Sequence, residues 1–259
     1  MIASQRMEMI VQMVDAEGIK NIKDMAKAFD VTEMTIRRDC EELEKQGKLI
    51  RVRGGAKSVK KDRILSLHDE KPMAERTEHN EQKESVCERA ASFVKEGDCV
   101  FLDDGTSIAP MVKYLKGRRV KIVTTSTLIA NMFDDDSSDL LLLGGLYMPK
   151  FNAVTGPITL DTLRRFNFDY AFISCSGVDA VRDIIYSADT DTTAVKVEAM
   201  KLAIKNYLLI DSSKLSVKGF YSFKHCGDFD AVICNSDENI NEESLPDNFI
   251  LTEINKIEK

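Results

Sequence analysis

The stretch from Val31 to Ala56 constrains the fold more than any other part of the chain. Read as a helix, it puts Ile36, Cys40 and Leu43 on one face, at the i, i+4, i+7 spacing of a buried stripe. The opposite face carries Met34, Arg38 and Lys45, with Thr35 and Arg37 at its flanks. Thr32 stands where an N-cap belongs, and Glu33 supplies a carboxylate in the first turn. Gly47 stops the helix. Lys48-Leu49-Ile50-Arg51-Val52-Arg53 then alternates with period 2, so Arg51 and Arg53 share one face and Ile50 and Val52 the other. Gly54-Gly55 reads as the turn of a hairpin. Two adjacent arginines on a short helix are by themselves an ordinary solvated face. A helix exposing Arg and Thr that runs into a basic hairpin is the pattern of a winged helix-turn-helix. The helix suits the major groove of a DNA duplex, with Arg38 as the candidate for base contact. Arg51 and Arg53 suit phosphates or the minor groove.

Two helical stripes precede this stretch. Met7, Ile10, Val11 and Val14 form the first, ended by Asp15 to Gly18. Ile22, Met25, Ala26 and Phe29 form the second, with Asn21 as its cap. Three helices and a hairpin close a small core around Ile10, Val14, Met25, Phe29, Ile36 and Leu43. A plain three-helix module shows the same periodicity, but does not need the Arg-Arg pair and the basic hairpin together. The expectation is an N-terminal all-α winged helix-turn-helix domain over residues 1–58. Residues 59–80, polar and charged around Pro72, read as a linker.

From 81 to 259 the pattern changes. A helix is expected near Glu81, with Val86, Ala90, Phe93 and Val94 on its apolar side and a stop at Gly97. Beyond it, short apolar runs alternate with helical stretches, the signature of an α/β domain with a mostly parallel sheet. The runs are 99–102, 120–123, 140–143, 170–173, 207–210 and 231–234. In such sheets ligands bind outside the carboxyl ends of the strands. Those ends carry Asp103-Asp104-Gly105-Thr106-Ser107, Thr125-Ser126, Gly144-Gly145, Gly177 with Asp179, and Asp211 with Lys214. Gly105-Thr106-Ser107, at an expected helix start, suits a phosphate. Lys214 supplies a cation. Asp103, Asp104, Asp179 and Asp211 suit sugar hydroxyls. Any one of these loops is equally an ordinary turn or N-cap; the argument rests on several converging on one edge.

Composition limits the alternatives. A chain of 259 residues is long enough for two domains. Its formal charge of −7 opposes nucleic-acid binding only if the charge is spread evenly. Between Lys48 and Arg63, Lys48, Arg51, Arg53, Lys57, Lys60, Lys61 and Arg63 face the single acid Asp62, while runs such as Asp134-Asp135-Asp136 lie further on. An acidic body with a basic patch fits a DNA-binding arm on a sensor. The cysteines form no C-x-x-C pair and read as reduced, mostly buried thiols of a cytoplasmic protein. His68, His79 and His225 show no metal-ligand spacing, and no metal or cofactor is implied. No apolar run approaches the ~20 residues that span a bilayer, so no membrane partner is expected.

The residues "VTEMTIRRDCEELEKQGKLIRVRGGA", Val31 to Ala56, resemble the N-terminal signature of the DeoR family of bacterial sugar-responsive transcriptional regulators. Thr32 stands where the family usually has Ser, and Cys40 where it usually has Leu; both keep the expected role. In the second half "LDDGTS", "VTTSTLIA", "LLLGG", "FDYAFISCSGVD" and "LLIDSSK" resemble the family's effector domain, which is similar to the ribose-5-phosphate isomerase and CoA-transferase folds. Thr125 stands where the family often has Asn, and the segment after Asp179 lacks the family's usual Gly. The family's effector-site lysine falls at Lys196 counted back from Asp211, and near Val197 counted from Met200. The resemblance implies a DNA-binding regulator without turnover, a repressor of a carbohydrate-use operon. Its partners would be a double-stranded operator and a phosphorylated sugar or related metabolite. Reading two half-sites calls for a homodimer or homotetramer, joined through the C-terminal domain since no coiled coil is visible. The alternatives are a sugar-phosphate isomerase or transferase with an accessory DNA-binding module, for which Asp179 is a general base without a paired acid, and an architectural protein whose second domain only dimerises.

Overall fold

The computed structural model describes residues 2–17, 19–52, 54–58, 78–215, 217–238, 240 and 242–254. The first stripe forms helix α1 (Ala3–Glu17), and a short strand β1 (Ile19–Asn21) follows. Helix α2 (Ile22–Phe29) starts at Asn21, whose side chain accepts the Lys23 N–H at 2.9 Å. Helix α3 (Glu33–Lys45) is capped by Thr32, and the hairpin is β2 (Leu49–Val52) and β3 (Gly55–Ser58). Ile10, Val14, Met25, Phe29, Ile36, Cys40 and Leu43 are buried together.

The hairpin differs from the expectation in three ways. Its order is β1-β3-β2, a three-stranded sheet, because β1 adds to the outer side of β3. Gly55 is therefore a strand residue paired with Val52, not half of the turn. It must be Gly because a Cβ there would lie 2.4 Å from the Lys20 carbonyl oxygen of β1. Alternation sets Ile50 and Val52 apart from Arg51 and Arg53, yet the buried residue of β2 is Leu49, in the same phase as the arginines, and Val52 is 38% exposed. Only the base of the hairpin reaches the core, so alternation does not report burial toward its tip.

The second unit begins with α4 (Asn80–Ala91), which starts within the stretch expected to be linker; residues 59–77 of that stretch lie outside the described residues. It continues with β4 (Cys99–Leu102), α5 (Met111–Leu115), β5 (Lys121–Thr124), α6 (Thr127–Met132) and β6 (Asp139–Leu142). A hairpin of β7 (Leu146–Met148) and β8 (Ala153–Thr155) leads to α7 (Pro157–Leu163) and β9 (Phe168–Ile173). Then come β10 (Gly177–Asp179), β11 (Ile184–Ser187), α8 (Thr190–Leu202), β12 (Ala203–Ile210), β13 (Tyr221–Lys224), β14 (Ala231–Asn235) and β15 (Phe249–Thr252). Seven strands form one parallel sheet in the order β15-β14-β12-β9-β4-β5-β6. All six expected strands are in it; β15 is the addition.

Both faces of this sheet are covered, which is why its strands read as continuous apolar runs. Val100, Leu102, Ile122 and Phe172 pack under α4 and α5 with Val86, Ala90, Met111 and Leu115. Phe101, Ala171, Ile173 and Leu208 pack on the other face with Leu163 of α7 and Val195 and Ala199 of α8. All six cysteines are free thiols, five of them buried. Among the described residues no helix is long and apolar enough to cross a membrane.

The strand order sets the position of the site. From β4 the chain moves outward through β5 and β6, then returns to lay β9 on the other side of β4. The reversal opens a crevice at the carboxyl ends of β4 and β9, where ligands of open α/β sheets bind.

Candidate functional site

The N-terminal unit presents one exposed helix end. Met34 is 61% exposed, and Arg37 and Arg38 are exposed beside it. Thr32 Oγ1 accepts the Thr35 N–H at 3.2 Å and lies 2.9 Å from the Thr35 hydroxyl, so the pair fixes the first turn. Arg37 pairs with Glu33 at 3.5 Å. Arg38 has no ion-pair partner among the described residues, so its guanidinium is left unpaired on the exposed side of the helix. Arg51 is not free in the same way. Its N–H and its Nε donate to the two oxygens of Glu44 at 2.8 and 2.7 Å. These contacts hold the Glu44 carboxyl below the ordinary carboxylate range and tie the hairpin to α3. Arg53 lies outside the described residues. Sequence reading also missed the pair that docks α1 on α3: Arg6 donates to both oxygens of Asp39, at 2.6 and 3.2 Å. No local spacing signals that contact, since the partners are 33 residues apart.

At the carboxyl ends of β4 and β9 the chain builds a buried charge cluster. Asp103 is 1% exposed and accepts the Ser174 N–H at 2.8 Å and the Ser174 hydroxyl. Lys196, brought in by α8 and 5% exposed, donates to Asp103 Oδ2 at 2.7 Å and to Ser174 O and Oγ, each at 3.1 Å. All three ammonium protons are thereby engaged. Asp104 sits 3.5 Å from the same ammonium. Burial alone would raise the Asp103 carboxyl, but the Lys196 charge and the hydrogen bonds outweigh it and hold the group below its ordinary value. Asp104 goes the other way: burial, then the neighbouring Asp103 charge, push it well up. Burial opposes the charge on Lys196, and the two carboxyl groups more than compensate, so its ammonium is strengthened.

Lys214 completes the cleft from the turn after β12. Its ammonium donates to Cys175 O at 2.7 Å and to Ser107 Oγ at 3.1 Å, leaving one proton toward the cleft. The N–H groups of Gly105, Thr106 and Ser107 meet no acceptor among the described residues. Contrary to expectation they do not start a helix. Bonds such as Ile108 N–H to Gly105 O and Met111 N–H to Ile108 O make a run of tight turns, and α5 begins only at Met111. The anion-binding capacity is therefore that of a nest of free amides, not of a helix dipole. Gly105 is required by close approach, because its Cβ would fall 2.1 Å from Ser174 Oγ.

Of the expected effector residues, Asp104, Gly105, Thr106, Lys196 and Lys214 line the cleft, with Asp103 and Ser107 directly behind. Phe151, Ser174, Asp189 and Thr192 also line it and were not read from the sequence. Asp189 was legible as the N-cap of α8, accepting the Thr192 N–H at 2.8 Å. The cleft holds about 90 Å³, below the 300–1,000 Å³ of a pocket that encloses a drug-sized ligand. It matches an anionic group better than a whole sugar. A larger hollow of about 550 Å³, among Cys99, Lys121, Val123, Leu141 and Phe166, lies at the other end of these strands and contains none of the expected residues.

The remaining expected residues serve the framework. The Thr125 carbonyl accepts the Val154 N–H, and Ser126 caps α6 through the Ile129 N–H at 3.3 Å. Gly144 O accepts the Thr159 hydroxyl, and a Cβ on Gly145 would meet Thr159 Oγ1 at 2.1 Å. Gly177 passes under the Val217 carbonyl, 2.3 Å from where its Cβ would be. Asp179 accepts the Arg182 N–H at 3.0 Å in the β10–β11 turn. Asp211 accepts the Ser213 N–H at 3.2 Å and so shapes the turn that delivers Lys214.

A winged-helix module carried by a chain with an anion-suited cleft at a sheet's switch point defines a ligand-sensing DNA-binding regulator. Comparison with known proteins agrees. Residues 6–62 match the DeoR-like helix-turn-helix domain and residues 78–236 the DeoR C terminal sensor domain, and the chain belongs to the DeoR family of transcriptional regulators. It is 30% identical over 240 residues to the uncharacterized HTH-type transcriptional regulator FruR of Bacillus subtilis (strain 168), covering 92% of this chain and 93% of that one. It is 29% identical over 248 residues to the lactose phosphotransferase system repressor of Streptococcus mutans, covering 93% and 96%. Ribose 5-phosphate isomerase A from Methanocaldococcus jannaschii superposes on 51% of this chain and 53% of its own with a TM-score of 0.38 at 20% identity. The chain is a transcriptional regulator and not an enzyme, which sets aside the isomerase or transferase alternative.

Proposed function

We propose that the protein represses a carbohydrate-use operon and is controlled by a phosphorylated sugar bound at the β4–β9 crevice. In this reading residues 1–58 bind the operator, 59–80 connect, and 81–259 sense the effector in the cytoplasm. The observation that carries it is the convergence of the free Lys214 proton with the unmatched amides of Gly105, Thr106 and Ser107. Relatives named as lactose phosphotransferase system repressors support the class of regulated genes. The protein acts as a homodimer or homotetramer, because one winged helix reads a short site and paired half-sites supply the specificity. The contact belongs to the C-terminal half, where β6 ends the sheet and Leu141, Leu142, Leu146 and Tyr147 are exposed.

The test is a titration of operator-bound protein with a panel of sugar phosphates. One of them should release wild type, while Lys214→Ala should keep operator affinity and lose the response. An unchanged midpoint in Lys214→Ala refutes the effector site. Arg38→Ala should cost roughly 1–3 kcal/mol of operator discrimination; equal binding refutes the recognition helix.

A further inference from the structure

Helix α8 and its cap present one face to the cleft. Asp189, Thr192 and Lys196, at the i, i+3, i+7 spacing of a single helical stripe, all line it. Their hydrogen-bonding capacities differ. Lys196 has no proton left for a ligand, since Asp103 and Ser174 take all three. Thr192 is 6% exposed, and its hydroxyl has no partner among the described residues. Asp189 caps the helix with one carboxylate oxygen, Oδ1, which accepts the Thr192 N–H at 2.8 Å; Oδ2 has no partner among the described residues. The cap is also fixed through its backbone, because the Asp189 carbonyl accepts the Ser187 hydroxyl at 3.3 Å and the Thr193 hydroxyl. What α8 leaves for a ligand is therefore a fixed acceptor and a hydroxyl. The Asp189 charge offsets the positive end of the α8 dipole, so that end does not compete for an anion. The donors suited to an anion, the free Lys214 proton and the amides of Gly105, Thr106 and Ser107, come from the loops after β12 and β4.

We propose that Asp189 and Thr192 are specificity-determining residues that read a hydroxyl group beside the ligand's phosphate: the hydroxyl donates to Asp189 Oδ2 and accepts from the Thr192 hydroxyl. This rests on reading the cleft as the effector site, and it narrows the ligand class. The cleft holds about 90 Å³, so the hydroxyl is one close to the phosphate ester. A carboxylate only accepts, so a methyl group in that place leaves Asp189 unpaired. A carboxylate or second phosphate in that place meets the Asp189 charge, and the engaged Lys196 offers it no proton. The ligand is then a sugar or polyol monophosphate with a free hydroxyl near its ester, not one with a second anionic group there.

The probes are ethyl phosphate, 2-hydroxyethyl phosphate and phosphoglycolate, which share a phosphate ester and end in a methyl, a hydroxymethyl and a carboxylate group. Their binding to the full chain is followed by the phosphorus resonance of the ligand. Wild type should bind 2-hydroxyethyl phosphate roughly ten- to a hundredfold more tightly than ethyl phosphate, the range for a hydrogen bond to a charged group, and should bind phosphoglycolate more weakly than 2-hydroxyethyl phosphate. Asp189→Asn keeps the helix cap. It should bind ethyl phosphate as wild type does, lose most of the preference for the hydroxyl and gain affinity for phosphoglycolate. Thr192→Val should lose part of the preference and gain nothing for phosphoglycolate. Binding of all three probes that needs Lys214 but is equal in wild type, or a hydroxyl preference that survives in Asp189→Asn, overturns the role of Asp189 and leaves the effector cleft standing. Undetectable binding, or binding unchanged in Lys214→Ala, overturns the cleft and this inference with it.

Discussion

Replacing Lys196 by Met isolates the most consequential interaction in the sensor half. The substitution keeps a long unbranched side chain and removes the ammonium. Asp103, 1% exposed, is then left with Ser174 and the neighbouring Asp104 carboxyl as partners, and Ser174 O and Oγ lose a donor. Removing one partner of a buried pair costs roughly 3–5 kcal/mol, because the other charge is left uncompensated. The cost should appear as a lower midpoint for urea unfolding of the sensor half at neutral pH. Its pH dependence follows from the carboxyl left behind. In wild type the depressed Asp103 value contributes stability that is present above the unfolded carboxyl value of about 3.9 and is lost as pH falls through the folded value. Without Lys196 that contribution is gone and burial favours the protonated form, so the gap between variant and wild type narrows as pH falls. Lys196→Met with Asp103→Asn should recover part of the loss, since no buried charge remains. A loss below about 1 kcal/mol at neutral pH, within the range of ordinary surface changes, refutes the reasoning.

Asp104→Asn should stabilise the protein near neutral pH and not near pH 4. The raised folded value makes wild type lose stability as pH climbs above the unfolded carboxyl value, and Asn removes that slope; parallel melting curves across pH for the two proteins refute it. Gly55→Ala should cost roughly 1–3 kcal/mol in the N-terminal unit, because the new methyl meets the Lys20 carbonyl at 2.4 Å; an unchanged melting transition would show that β1 can move aside. Glu44→Ala frees Arg51 from its 2.7 Å clamp and, the pair being exposed, should leave the melting transition of the N-terminal unit nearly unchanged. The same variant should steepen the salt dependence of operator binding by about one phosphate contact, and an unchanged slope places Arg51 off the DNA.

Local spacing in the sequence determined most of the elements. The stripe of Ile36, Cys40 and Leu43, the caps Asn21 and Thr32, and six of the seven sheet strands follow from periodicity and side-chain chemistry over a few residues. The resemblance of short motifs to those of the family marks the winged helix and the sensor half by residue identity alone. What spacing does not carry is which strand lies beside which. β1 is three residues long, too short to show a period, yet its carbonyl explains Gly55. The strand order alone decided that the loops after β4, β9 and β12 meet while Gly144, Gly145 and Asp179 stay on the framework. Asp103 and Asp104 are neighbours of identical chemistry in the chain. Only the tertiary arrangement separates them, because Ser174 and Lys196, 71 and 93 residues from Asp103, bond to one carboxyl group and leave the other toward the cleft.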